Sequence, residues 1–184
     1  MGAEPFVLEL SSCTVRDWKR GDEPSIVRHA NNRNVWLGLR DIFPHPYTTS
    51  DARSWVRTAM RVLYGQVFAI EVGGFAVGGI DLRPDTGVNR FNAEIEFWLG
   101  EEYWGRGIAT EAVVAVTQFG FEENGYKRIY AQIFEGNAAS VRVLEKAGYT
   151  LEGRLRASAF KDNRFVDQIL YARTSSIPHN AIPQ

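Results

Sequence analysis

The sequence predicts a single α/β domain, a mixed sheet with helices on its faces, and three observations carry that prediction. Segments with strand-type alternation and segments with helix-type spacing succeed one another along 184 residues, a length that buries a full core without staples. Their order, a hairpin and then β-α-β-α-β-β, requires parallel pairing near the two later helices. Residues 94–111, EIEFWLGEEYWGRGIATE, read as strand, glycine turn and helix start in immediate succession, an arrangement that holds anions.

The bulk properties narrow the function. Twenty-one basic against 22 acidic residues give a formal net charge of −1, so the chain lacks the electrostatic footprint of a nucleic-acid binder. Cys13 is the single cysteine. It has no internal disulfide partner and no neighbour in sequence that lowers its thiol pKa, so packing is its expected role. No apolar run reaches membrane-spanning length and no basic-plus-apolar leader is present, so a cytoplasmic location with no membrane partner is expected.

Taken in order, residues 6–15 (FVLELSSCTV) read as the first strand. Residues 17–32 carry helix signals: Asp22 or Asp17 as cap, Pro24 in a first turn, and Ile26, Val27 and Ala30 on one side. Residues 36–47 are aromatic and proline-rich without period, and Pro44 and Pro46 break any helix there. A helix begins again at Thr49 or Ser50, with Ala52, Trp55, Val56 and Ala59 at helical spacing. Strands over 67–72 and 75–82 flank Gly73-Gly74, an accepted hairpin turn. Gly78 and Gly79 inside the second strand mark a bulge or a close backbone approach.

The turn 84–87 (PDTG) leads to the strand 91–99, which Gly100 ends. A helix follows from Ile108 or Ala109 to near Gly125, with Ala112, Val113, Val116 and Phe119 at helical spacing. Then come a strand over 128–134, a helix opened by Asn137 and closed by Gly148, and a strand over 149–155. A polar excursion over 161–164 (KDNR) precedes the last strand, 167–172. The strands number about seven. Residues 1–173 form the domain, and 174–184, polar with two prolines, form a flexible tail.

Two stretches carry chemistry. In 91–99, Ala93, Ile95, Phe97 and Leu99 share one face while Glu94, Glu96 and Trp98 share the other. Gly105 and Gly107 bracket Arg106, and glycine there permits positive φ and lets a ligand approach main-chain N–H groups. The helix behind adds unpaired N–H groups and the positive end of its dipole. An isolated GxG is more often a matter of geometry. The second stretch, 137–149, sets Asn137, Ser140, Val141, Leu144 and Ala147 on one stripe, with Arg142, Glu145 and Lys146 opposite. Singly, the serine reads as back-bonded within its helix and the asparagine as an N-cap.

Together the two stretches resemble the GNAT superfamily of acyl-CoA-dependent N-acetyltransferases, whose pyrophosphate loop has the pattern Q/R-x-x-G-x-G/A before a helix. Here that loop is Trp104-Gly105-Arg106-Gly107-Ile108-Ala109, with Trp where the family has Gln or Arg. YWGRGIATEA, the segment 41–56 and NAASVRVLEKAGYTLEG resemble the branch of RimJ/RimL-type protein N-terminal acetyltransferases, and the likeness runs over about residues 8–171.

The resemblance implies the GNAT fold: a mixed, mostly antiparallel sheet of about seven strands, in which the strands over 91–99 and 128–134 splay apart to admit pantetheine. It implies acetyl-CoA as co-substrate, no metal, an amine acceptor, and a monomer or homodimer. Phe97, Trp98 and Leu99 would offer strand backbone to pantetheine. The N–H groups of about 103–110, through Trp104, Gly105, Arg106, Gly107, Ile108, Ala109 and Thr110, would hold the pyrophosphate, with Arg106 adding a charge-assisted contact. In the family the irregular segment 36–47 helps wall the acceptor pocket.

Leu144 stands where many members carry a tyrosine that protonates the leaving thiolate; in the RimJ/RimL-type branch a serine donates to the sulfur, and the resemblance implies that role for Ser140. Asn137 would orient the cofactor amide or a water near the thioester. The acid expected before the last strand falls at Ala159. Glu94 and Glu96 are then the candidate bases, acting through a water, with Asp162 and Asp167 as further options; each also reads as a solvent-facing or arginine-paired carboxylate. A protein α-amine has a pKa of about 8 against about 10.4 for lysine. It is free roughly a hundredfold more often at neutral pH, so a protein or peptide N-terminus is the acceptor expected first. The alternatives are a small amine (amino sugar, polyamine, amino-acid analogue or drug) and a non-catalytic acyl-CoA sensor.

Overall fold

The computed structural model describes residues 5–61 and 66–175. In chain order its elements are β1 (Val7–Glu9), β2 (Thr14–Asp17), α1 (Glu23–Ala30), α2 (Arg33–Leu37), α3 (Thr49–Ala59), β3 (Val67–Val72), β4 (Phe75–Pro84), β5 (Asn92–Leu99), α4 (Ile108–Glu122), β6 (Arg128–Phe134), α5 (Ala138–Lys146), β7 (Thr150–Lys161) and β8 (Arg164–Thr174). The strands make one sheet in the order β1-β2-β3-β4-β5-β6-β8-β7. Every pairing is antiparallel except that of β5 with β6.

Among the described residues the sheet has eight strands where the sequence suggests about seven. The stretch 6–15 is two strands, folded into a hairpin at Ser11 and Ser12 and closed by Leu10 N–H on Cys13 O at 2.9 Å. The cause lies a hundred residues away, where the Glu111 carboxylate takes both serine N–H groups at 2.7 and 2.9 Å. The polar excursion 161–164 is no excursion but the tip of a long hairpin. Asp162 (φ 51°) and Asn163 (φ 60°) form its turn, a left-handed pair that Asp and Asn tolerate and that matches strand twist. Leading into the aromatic segment, α2 forms because Asn32 caps it, its side chain accepting from Asn34 and Val35 N–H. α3 starts at Thr49 behind a Thr48–Asp51 capping box. From residue 176 onward the tail lies outside the described residues.

The sheet separates two apolar layers. On one face α4 and α5 bury Val113, Val116 and Leu144 against Phe68, Ile70, Leu82, Ile95 and Ile129. On the other, α1 and α3 bury Ile26, Ala52 and Val56 with Trp18, Tyr47 and Ala69. Full burial of each larger side chain contributes about 1.5–3 kcal/mol. Gly120 lets α4 sit close, since a Cβ there would stand 2.8 Å from Ile129 and 2.9 Å from Leu82. Gly78 and Gly79 are close approaches of the same kind, with a Cβ falling 2.4 Å from Trp98 O and 2.7 Å from Trp98 Nε1 respectively.

Candidate active site

β5 and β6 pair only over residues 92–94 and 128–130, yet β5 runs on to Leu99 and β6 to Phe134. Past that point each follows its antiparallel partner, β4 and β8, and the two separate. A cavity of about 600 Å³ opens in the gap. Its walls are the end of β5, the loop and first turn of α4, and the first turns of α5. Its roof is Asn34, Val35, Leu37, Gly38 and Leu39 together with the β7–β8 tip.

The loop is built to receive an anion. Gly105 (φ +73°) and Gly107 (φ +81°) are left-handed, and a Cβ on either would meet nothing within 4 Å. Gly107 is the N-cap of α4 and brings no side chain to it, so the first-turn N–H groups lack intrahelical acceptors. The carboxylate of that turn, Glu111, points elsewhere: it accepts from Ser11 Oγ at 2.6 Å and also from Ser12 Oγ, besides the two N–H groups. These hydrogen bonds hold its pKa down at about 2. Trp104, where the family pattern has Gln or Arg, donates its indole N–H to Leu99 O at 2.7 Å and ties the loop to the end of β5.

Of the residues singled out from sequence, Phe97, Trp98, Leu99, Trp104, Gly105, Gly107, Ile108, Ala109, Thr110, Asn137 and Ser140 line the cavity. Asn137 caps α5, its Oδ1 accepting from Ser140 N–H at 3.1 Å, and both side chains are half-buried. Arg106 does not line the cavity and lies over the Tyr103 ring, 5.2 Å from its centre.

Neither Glu94 nor Glu96, the candidate bases, lines the cavity, and both are the arginine-paired carboxylates that the sequence left as the other reading. Glu94 pairs with Arg40, and Glu96 is held by Arg40 at 2.8 Å and Arg83 at 2.7 Å. Burial, the largest influence, raises the Glu94 pKa against the pull of Arg40. Asp162 is engaged by Arg33 and Asp167 by Arg154, while Ala159 faces Val166 across the hairpin. The arginines sit far from these carboxylates in sequence, which is why sequence reasoning could not choose between a base and an ion pair.

Sequence reasoning missed the roof and the charges on the walls. Asn34, Val35, Gly38, Glu135, Arg142, Lys146, Lys161 and Arg164 also line the cavity. Glu135 pairs with Arg154 and Lys161 with Asp41. Among the described residues, Arg142, Lys146 and Arg164 have no ion pair, so every lining charge without a partner is positive. Among the described residues, no histidine or cysteine lines the cavity.

The family model "Acetyltransferase (GNAT) domain" matches residues 13–150. An uncharacterized prophage-derived N-acetyltransferase of Bacillus subtilis, YokL, is 28% identical over 73% of this chain and 75% of its own. The spermidine N(1)-acetyltransferase of Escherichia coli is 26% identical over 55% of this chain and 54% of its own. The ribosomal-protein-serine acetyltransferase of E. coli is 29% identical over 60% and 61%. Among solved structures, the ribosomal L7/L12 acetyltransferase RimL in complex with coenzyme A superposes with a TM-score of 0.81 at 19% identity. That match covers 92% of this chain and 98% of that one. With the splayed strands, the glycine loop on a helix N-terminus and a family model that spans most of the domain, the chain belongs to the GNAT family of acetyl-CoA-dependent N-acetyltransferases.

Proposed function

We propose that the enzyme acetylates the α-amine of a protein or peptide N-terminus by direct attack in a ternary complex. The observation that carries this reading is the charge on the cavity wall. The described lining offers no unpaired carboxylate and no histidine, so it has neither a strong base for an amine of high pKa nor a counter-ion for a polyamine. A terminal α-amine, with a pKa of about 8, is unprotonated in about a tenth of molecules at pH 7, roughly a hundredfold more than a lysine, and needs no such base. The spermidine acetyltransferase relative gives a small-amine acceptor some claim, and the lack of an unpaired carboxylate in the described lining argues against it.

The pyrophosphate sits against the N–H groups at the start of α4, where Gly105 and Gly107 leave room, with Arg142 and Lys146 as nearby cations. Pantetheine enters between β5 and β6. The amine nitrogen attacks the thioester carbonyl, the carbon–sulfur bond breaks, the amine's surplus proton passes to water, and Ser140 Oγ–H hydrogen-bonds the departing thiolate and relays a proton to it while taking one up from water. Asn137 uses Oδ1 to hold the first turn of α5, which leaves Nδ2 free to steer the co-substrate. A cytoplasmic location and a monomeric or homodimeric state belong to the same proposal.

The test is thiol release from acetyl-CoA against N-terminally varied peptides, lysine peptides, polyamines and aminoglycosides. Peptide turnover that depends on a free α-amine is expected, with Ser140→Ala lowering kcat about a hundredfold and coenzyme A affinity unchanged. Turnover confined to polyamines or sugars would overturn the acceptor; coenzyme A binding without turnover of any amine would favour the sensor.

A further inference from the structure

We propose that a side-chain latch between α2 and the β7–β8 tip sets the width of the acceptor mouth, with Trp36 and Lys161 as specificity-determining residues; this rests on the acceptor reading above. The two lips of the roof are far apart in sequence, and the strand partner of β7 is β8 alone. Side chains tie them. Lys161 Nζ lies 3.5 Å from the centre of the Trp36 ring and 2.7 Å from Asp41 Oδ1. Arg33 donates to both oxygens of Asp162 at 3.0 and 2.9 Å.

The exposures say which contact matters. Lys161 is 4% exposed while its carboxylate partner Asp41 is 65% exposed. The exposed carboxylate supplies little cover, while the indole face lies directly on the ammonium, and a desolvated cation is held there more strongly than by an exposed ion pair. His45 also stacks on Trp36, ring centres 5.7 Å apart. On the inner side, the roof rests on the acyl site through Gly38, where a Cβ would stand 2.9 Å from Asn137 Nδ2. An acceptor that reaches the thioester passes between lips held together by the latch, and Lys161 and Asp162 line the cavity on the hairpin side.

Trp36→Ala and Lys161→Met test the latch, with folding followed by circular dichroism and thermal midpoint. In either variant KM for the best peptide rises about tenfold with kcat within about threefold, as expected for loss of one buried cation–aromatic contact. Peptides with bulky first residues gain relative to that peptide, acetyl-CoA affinity is unchanged, and Trp36→Phe restores parental behaviour. Hydrogen exchange of residues 33–39 and 161–164 speeds up together in Trp36→Ala. Folded variants that keep the parental acceptor ranking, or exchange that loosens one lip alone, would overturn the latch. If the parent protein acetylates no peptide, the acceptor reading has failed on its own, and the exchange experiment still decides the latch.

Discussion

Asp81→Asn probes the carboxylate cluster beneath Arg40 and Arg83. Asp81 is 9% exposed on β4, lies opposite Glu96 of β5 and accepts from Arg83 Nε at 2.9 Å. Burial above all, and then the Glu96 and Glu94 charges, outweigh the pull of Arg83 and raise its pKa from 3.8 to about 7. The folded protein keeps this proton up to about pH 7 whereas the unfolded chain releases it near 3.8. Between those values the folded state binds more protons, so stability falls as pH rises, then levels above about 7. At about 1.4 kcal/mol per pH unit, the full window is a ceiling of about 4 kcal/mol. Asparagine removes the charge but sets an amide beside Arg83, which costs about 1–3 kcal/mol.

The variant should therefore be more stable than the parent by about 1–3 kcal/mol at pH 8. That advantage shrinks by about 3 kcal/mol on going to pH 5, because the parent regains its proton. Thermal unfolding of both proteins from pH 5 to 8 reads the difference, at about 2–4 °C per kcal/mol for a domain of this size. A variant-minus-parent difference that does not change with pH, or that grows as the pH falls, would refute the buried-charge account.

Two glycines give contrasting outcomes. Gly107→Ala forces a side chain into a left-handed backbone at a cost of about 1–2 kcal/mol, and its Cβ points into open space in the loop, so calorimetry should show coenzyme A bound at least about tenfold more weakly. Unchanged affinity would move the phosphate site away from this loop. Gly120→Ala gains about 1 kcal/mol of helix propensity but crowds Ile129 and Leu82 at about 1–3 kcal/mol, so denaturant unfolding should show a net loss of about 1 kcal/mol with coenzyme A affinity intact. A stabilised variant would mean that α4 packs less tightly on the sheet than the geometry implies.

The sequence by itself determined what depends on local chemistry. Alternation in 91–99, glycines at 105 and 107 and the stripe from Asn137 to Ala147 fixed the strand, the loop and the two helices, because period and backbone freedom are properties of neighbours in the chain. The cavity walls they supply follow from that. Only the tertiary structure decided which charges are free. Arg40 and Arg83 take Glu94 and Glu96 out of contention as unpaired bases, Glu111 folds residues 6–15 into two strands, and Lys161 meets Trp36 across a roof that no local pattern describes. Each is a pairing between residues distant in sequence, and its strength depends on burial that exists only once the sheet and helices have closed around it.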